Sequence, residues 1–150
     1  MIIIILIIII VALVWQLNVK KETALEPSSV NNVDIGNAEE KKDLIRVFSP
    51  KPNDVIKSSL DIKGEARGNW FFEASFPIKL INTEGEEVPL SQGYIMTSAN
   101  WMTTDFVPFE QTITFPLQKA GKGKLILMKD NPSGLSQNDD ELVIPISFTN

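Results

Sequence analysis

From Leu44 onward, apolar and polar side chains alternate along the chain, and a period of two is typical of half-buried β-strands. The C-terminal stretch shows this well. Leu125 and Leu127 repeat at that period, a long polar turn follows, and the alternation resumes from Leu142 to Phe148. We therefore predict an antiparallel hairpin that closes an all-β domain.

Further short strands are predicted upstream of this hairpin. One of them starts at Ile45, and the others cover Leu60–Ala66, Phe72–Leu80, Glu87–Leu90 and Ile113–Leu117. In the second of them, Gly64 and Ala66 would let a large neighbouring side chain approach. About seven short strands with no convincing helical segment predict a two-sheet β-sandwich. Pro145 has no backbone donor, so we expect the last strand to have an open edge on that side.

An apolar block precedes this domain. Residues 2–19 carry no charge, and the first charged side chains are Lys20 and Lys21. As a helix the block would rise about 27 Å, close to the thickness of a bilayer core. We predict an uncleaved transmembrane anchor over residues 1–19. A signal peptide would need a basic start and a small-residue cleavage site, and a buried core element could not cover apolar side chains on all its faces.

Residues 20–43 are rich in Glu, Asn, Ser and Lys and show neither strand nor helix periodicity. This composition predicts a flexible linker between the anchor and a soluble domain at residues 44–150. Within the linker, AEEKKD could form a transient helical turn.

Composition excludes several classes of function. A net charge of −5 and a pI near 4.8 argue against nucleic acid as a partner, because such binding needs clustered Lys and Arg. The chain contains no Cys and no His, which removes thiol and imidazole catalysis, common zinc sites and disulfides. We expect no cofactor.

Three aromatic residues are candidates for binding. Trp70, Tyr94 and Trp101 lie near predicted strand ends, where aromatic side chains can stack on sugar rings or hold a partner. The alternative is that Trp70 and Trp101 pack over the core, and the sequence favours it because aromatic residues are often buried.

The loop of the closing hairpin is rich in oxygen ligands of the kind that Ca²⁺ prefers, namely Asp130, Asn131, Asn138, Asp139, Asp140 and Glu141. Their spacing does not match a calcium-binding loop, and Pro132 stiffens the centre. A solvated acidic turn is therefore favoured over a metal site.

Glu65 and Glu73 fall on the outward faces of two strands that we predict to be adjacent. Paired carboxylates can cleave glycans without His or Cys, so a cell-wall hydrolase is the rival to a non-enzymatic module. Outward strand positions are wet, however, and Lys63, Arg67 and Lys79 are plausible ion-pair partners. We expect an ordinary charged sheet face and no enzyme.

Three motifs resemble the immunoglobulin-like domain found in bacterial spore germination and sporulation proteins. They are SPKPNDVIKSSLDIKGEA, GNWFFEASFPIKLINTEGEEV and KGKLILMKDNPSGLSQNDDELVIPISF, within residues 44–148. The resemblance implies an immunoglobulin-like sandwich in the bacterial envelope, with no established catalytic residues. A germination-type module is not seen beside it, so only fold and location are taken from the family.

The location of the domain follows from two opposing arguments. Lys20 and Lys21 follow the predicted anchor, and the positive-inside rule applied to them alone would place the domain in the cytoplasm. The resemblance instead implies an extracytoplasmic domain, and we follow it. We thus expect an envelope module, held to the cytoplasmic membrane by its N-terminal helix, that binds an envelope protein or a cell-wall glycan. The alternative is a glycan hydrolase or a carbohydrate-binding module.

Overall fold

The computed structural model describes residues 33–149, so the predicted anchor at 1–19 and the first part of the linker lie outside the described residues. Within that range the structure contains eight β-strands, one short helix and two 3-10 turns, at Gly68–Trp70 and at Ser136–Asn138. The helix is α1 (Ala38–Lys41), and the strands are β1 (Ile45–Ser49), β2 (Val55–Ile56), β3 (Leu60–Arg67), β4 (Ser75–Ile81), β5 (Tyr94–Met96), β6 (Phe106–Ile113), β7 (Gly121–Met128) and β8 (Glu141–Phe148). No helix among residues 33–149 has the length and apolarity needed to cross a membrane.

The strands form two sheets, and the predicted all-β sandwich is confirmed. One sheet has the order β1-β3-β6 and the other the order β2-β8-β7-β4-β5. The named pairs are antiparallel, except that β2 runs parallel to the end of β8. The predicted closing hairpin is the β7–β8 pair, with Leu125 opposite Ile144.

The core lies between the two sheets and is built from the apolar positions of the alternating strands. β3 follows the predicted pattern, with Leu60, Ile62, Gly64 and Ala66 facing inward. A Cβ at Gly64 would lie 2.6 Å from the ring of Phe109, so the large neighbour expected there is present. The same alternation buries apolar residues of β4, β7 and β8 at Phe76, Ile78, Leu80, Leu125, Leu127, Leu142, Ile144, Ile146 and Phe148.

The strand predicted to begin at Phe72 begins three residues later. Glu73 and Ala74 have φ values of 49° and 62°, in the left-handed region that L-residues rarely adopt. Phe72 and Ser75 exchange backbone hydrogen bonds across this tight turn. The alternation is interrupted there, so Phe72 is 40% exposed and does not face the core as expected.

Two other predicted strands are also displaced. The stretch Glu87–Leu90 is not a strand and makes one isolated bridge, between Glu87 and Ile81. The strand that pairs with this edge of β4 is β5. The stretch predicted around Ile113–Leu117 coincides only with the end of β6, and Leu117 is 83% exposed. Phe115 is buried because its ring packs edge-on against Phe148 and not because it lies in a ladder.

Residues 34–43, which we expected to be part of the flexible linker, pack against the sandwich. The side chain of Asn37 accepts a hydrogen bond from the backbone N–H of Val143 at 2.7 Å and donates one to the carbonyl of Glu141 at 2.9 Å. Gly36 has φ of 65°, and a Cβ there would overlap the carbonyl oxygen of Val143. The expected helical turn in AEEKKD is present as α1. The packed domain therefore begins about ten residues before Leu44.

The edge of β8 beside Pro145 is covered and not open as predicted. The backbone N–H of Asn53 donates to the carbonyl of Pro145 at 2.7 Å, and the Asn37 amide continues the coverage two residues earlier in the strand. A backbone group without a partner at a sheet edge invites pairing with another chain, and these contacts occupy the groups concerned. This part of the edge therefore offers a partner chain no free backbone group at Val143 or Pro145.

Candidate functional site

Three long loops converge at one end of the sandwich, which we call the loop end. They are residues 68–74 between β3 and β4, 97–105 between β5 and β6, and 129–140 between β7 and β8. Backbone hydrogen bonds join them to one another. Gly68 N–H donates to Asp105 at 3.2 Å, and Asp130 N–H donates to Trp70 at 3.0 Å. The chain enters the domain at the opposite end, which we call the entry end, where the side chain of Asn53 donates to the carbonyl of Asp34.

A close approach between backbones holds the first two loops together. A Cβ at Gly68 would overlap the carbonyl oxygens of Trp101 and Thr103. Glycine is therefore needed at this position, since any side chain would push the 97–105 loop away. This packing fixes where Trp101 is presented.

Trp70 is part of the core and is not a surface residue. It is 1% exposed, and its carbonyl holds the 129–140 loop through Asp130. Its indole Nε1 has no hydrogen-bond partner within residues 33–149. This corrects the assignment of Trp70 as a binding residue, and the core alternative weighed from the sequence describes it.

Trp101 lies at the surface of the loop end and is only partly buried. Its ring packs edge-on against Phe72, with the centroids 6.5 Å apart. The next residue, Met102, is 75% exposed. We call Phe72, Trp101 and Met102 the aromatic patch. The sequence did not reveal Phe72 as a member, because its alternation with Phe76 and Ile78 suggested an inward position.

Tyr94 lies on a sheet face and not among the loops. It is in β5, directly opposite Pro77 of β4, and is 46% exposed. Its neighbour two residues on, Met96, is 48% exposed at the same edge of the five-stranded sheet. Tyr94 therefore lies on a sheet face and Trp101 on a loop, although the sequence had grouped the two residues.

The side chains of the 129–140 loop mainly hold the loop itself. Asn131 donates to Asp139 at 2.7 Å, Lys129 donates to the carbonyl of Asn138, and Asp140 forms an ion pair with Lys41 of α1 at 2.5 Å. Across residues 33–149, no group of three or more acidic side chains is placed to hold a metal ion. The weak calcium candidate at Asp130 and its neighbours therefore gains no support from the geometry.

Glu65 and Glu73 do not lie on adjacent strands, and that expectation is wrong. Glu65 is in β3 of the three-stranded sheet, where Arg46 binds its carboxylate at 3.0 Å. Glu73 lies in the tight turn that leads into the other sheet. The two carboxylates therefore do not share a sheet face as the hydrolase hypothesis required.

Two further ion pairs on the sheet faces are of the expected cross-strand type, with partners that the sequence did not specify. Lys63 pairs with Glu110 at 2.6 Å, and Lys79 pairs with Glu87 at 3.2 Å. The hydrogen bond and the negative charge of Glu110 raise the pKa of Lys63 above its usual value. These pairs are exposed and contribute little to stability.

Arg67 fixes the base of the loop end. Its guanidinium stacks 4.0 Å from the ring centroid of Phe106, and Nε and Nη1 donate to the carbonyls of Asp43 and Thr104 at 3.1 Å each. Arg46 lies 4.1 Å from the centroid of the same ring. Arg67 thus joins the segment before β1 to the 97–105 loop at the base of the loop end.

Charge is distributed unevenly between the two ends. Residues 33–149 contain 17 Asp and Glu and 12 Lys and Arg. The loop end together with α1 and the residues that flank it (38–44, 67–74, 97–106 and 129–141) holds nine of the acidic and four of the basic residues. The rest of the domain is balanced at eight of each, so the loop end together with α1 and these flanking residues carries the entire excess of negative charge.

This architecture is that of an immunoglobulin-like β-sandwich. In the usual lettering, β1, β3 and β6 correspond to strands A, B and E, and β8, β7, β4 and β5 correspond to G, F, C and C′, with β2 as an A′ segment beside G. Immunoglobulin-like domains are generally non-catalytic.

Residues 44–136 match the model of the immunoglobulin-like domain of bacterial spore germination, and the chain belongs to this family. The match covers β1 to β7 and ends within the 129–140 loop, whereas β8 pairs with both β2 and β7 beyond it. No curated protein and no solved structure matches the chain.

Proposed function

We propose that the chain is a non-enzymatic binding module of the bacterial envelope, anchored in the cytoplasmic membrane by residues 1–19, with its domain outside the membrane. The aromatic patch at the loop end is the surface that contacts the partner, which is an envelope protein or a cell-wall component. The observation that carries the proposal is that three loops converge at one end of the sandwich, where Phe72, Trp101 and Met102 lie at the surface.

The construction of the loop end supports binding rather than a purely structural role. Exposed aromatic and methionine side chains supply much of the energy at small interfaces, and a fixed backbone avoids the entropy cost of ordering loops on binding. Arg67 and Gly68 provide that fixed backbone. The chain enters at the opposite end, so its attachment point leaves the three loops free for a partner.

The binding proposal is tested with the full-length chain in a non-ionic detergent as bait for envelope extract. We expect Trp101→Ala and Met102→Ser to abolish or sharply reduce capture of a specific partner. Leu117→Ser is the matched control, because Leu117 is exposed to a similar degree but lies at the entry end. Equal capture by all three variants would refute the assignment of the aromatic patch.

The anchor is tested separately by sedimentation of membranes. The full-length product should remain in the membrane pellet after an alkaline carbonate wash, because a membrane-spanning helix resists extraction. A product that stays in the supernatant would overturn the anchor. Protease added outside intact spheroplasts should degrade the domain, and complete protection would place it in the cytoplasm.

A cell-wall hydrolase is the rival function, and the two carboxylates that suggested it do not lie on adjacent strands. The separation of Glu65 from Glu73 removes the pair that suggested it. Cell-wall hydrolysis by the purified chain that disappears in Glu65→Gln or Glu73→Gln would nevertheless show that it is an enzyme. We expect no turnover.

A further inference from the structure

Three carboxylates of the loop end, which we call the rim, lie on the loops that carry the aromatic patch or on the loop that packs against them. Glu73 adjoins Phe72, Asp105 follows Met102 by three residues, and Asp130 lies where the 129–140 loop meets Trp70. None of the ion pairs formed among residues 33–149 involves these three carboxylates. An apolar centre with a charged rim is the usual anatomy of a protein interface.

The charge is a property of this end and not of the domain as a whole. The three loops of the loop end hold five acidic residues and one basic residue, so they carry four of the five excess negative charges of residues 33–149. A surface with one sign of charge attracts partners of the opposite sign, repels those of the same sign and raises the association rate. The occupant is therefore selected by charge as well as by apolar contact.

We propose that the loop end binds a basic segment of a protein in which Lys or Arg residues alternate with apolar side chains. The apolar side chains of the partner cover Phe72, Trp101 and Met102, and its cationic side chains pair with the carboxylates of the rim. Phosphate-bearing wall polymers are polyanions, so the same field disfavours them. This inference rests on the proposed binding function and names the chemistry of its partner.

The test uses the full-length chain in a non-ionic detergent and two fluorescein-labelled probes. One is a peptide in which the pair Lys-Leu alternates with Gly-Ser, and the other has Glu in place of every Lys. Fluorescence anisotropy gives the Kd of each. We expect the lysine peptide alone to bind, and its Kd to rise on going from about 0.05 M to about 0.5 M salt, because exposed charges are screened.

Two variants with the same loss of charge locate the interaction. The triple variant Glu73→Gln, Asp105→Asn, Asp130→Asn neutralises the loop end, and Glu84→Gln, Glu86→Gln, Glu87→Gln neutralises a loop near the entry end. We expect the first to raise the Kd of the lysine peptide by about tenfold, since exposed charges contribute roughly 0.2 to 1 kcal/mol each. The second should change it less than about twofold. Met102→Ser should weaken binding without changing its dependence on salt.

Three outcomes would overturn the inference. The lysine and glutamate peptides could bind equally, the two triple variants could lose affinity equally, or the chain could sediment with purified cell-wall glycan through Trp101 and ignore the lysine peptide. In the last case the proposed binding function stands and only the partner chemistry is wrong. Capture from envelope extract that does not depend on Trp101 or Met102 would instead refute the proposed site itself. Thermal unfolding of every variant confirms that the comparisons are made between folded proteins.

Discussion

The side-chain amide of Asn37 takes the place of a neighbouring strand along part of β8, and its removal gives a quantitative test of the fold. Its Oδ1 accepts the N–H of Val143, which is partly buried, and its Nδ2 donates to the carbonyl of Glu141. Asn37→Ala deletes both hydrogen bonds but leaves the backbone able to adopt the same path. The variant therefore isolates the contribution of these two bonds.

The expected loss in the free energy of unfolding follows from these two hydrogen bonds. A typical intramolecular hydrogen bond contributes about 1 kcal/mol, and a donor left without a partner adds a desolvation cost when it is buried. Water reaches the exposed carbonyl of Glu141, so that cost is confined to Val143. We expect the free energy of unfolding to fall by about 2 kcal/mol. For a packed domain of this size that corresponds to a Tm lower by roughly 8 °C.

Thermal unfolding followed by circular dichroism measures the shift, and hydrogen exchange at the Val143 amide shows where it arises. Gln118→Ala is the control, because the amide of Gln118 bonds only to the adjacent carbonyls of Pro116 and Leu117. We expect the control to stay within about 0.5 kcal/mol of the parent, as is usual for exposed sites. A Tm for Asn37→Ala equal to that of the control, with Val143 protection unchanged, would refute the reasoning.

Three further predictions concern the segment before β1 and the base of the loop end. Gly36→Ala should destabilise the domain at least as much as Asn37→Ala, since its Cβ would overlap Val143 and φ is positive; equal Tm values for Gly36→Ala and the parent would contradict this. A chain that begins at Leu44 should unfold at a lower temperature than one that begins at residue 33, because it lacks the cover of β8, and matching Tm values would show that residues 34–43 add nothing. Arg67→Ala should lower the free energy of unfolding by about 2 kcal/mol, because it loses two hydrogen bonds and the stack on Phe106. It should also speed hydrogen exchange in the 97–105 loop. Lys63→Ala, on the same strand, is the control and should do neither.

Period-two alternation predicted the parts of the fold in which one sheet face is buried. β3, β7 and β8 bury the residues expected from the sequence, because a shift of one residue would turn every apolar side chain to water. The prediction from alternation failed where the backbone leaves the extended conformation of a strand. The sequence still alternates across Glu73 and Ala74, but the left-handed turn at these two residues shortens the strand and exposes Phe72.

The strands β5 and β6 were harder to predict for a different reason. β5 has only three residues, too few to establish a period, and Met96 and Tyr94 lie exposed on either side of the buried Ile95. Most of β6 lies outside the predicted strands, and it contains Pro108, a residue that has no backbone donor for a sheet. Proline is tolerated there because β6 is at an edge of the three-stranded sheet.

The candidate site could be predicted only in part, since it depends on which loops meet. The sequence located Trp101 and the 129–140 loop but could not show that they share one end with Phe72. It also could not show that most of the excess negative charge lies there, because the acidic residues come from three separate loops of the chain. Burial of Trp70 was weighed correctly as an alternative, since aromatic type alone does not distinguish a core position from a surface one.

The contact between residues 34–37 and β8 determines how the domain would respond to mechanical force. Asp34 lies near Asn53, and Asn37 bonds to Glu141 and Val143, so the segment runs antiparallel to β8. Tension between residue 33 and a partner held at the loop end would act along this segment. Its hydrogen bonds lie across that direction and would share the load in shear instead of opening one after another. The segment would act as a clamp that resists pulling far better than it resists thermal fraying.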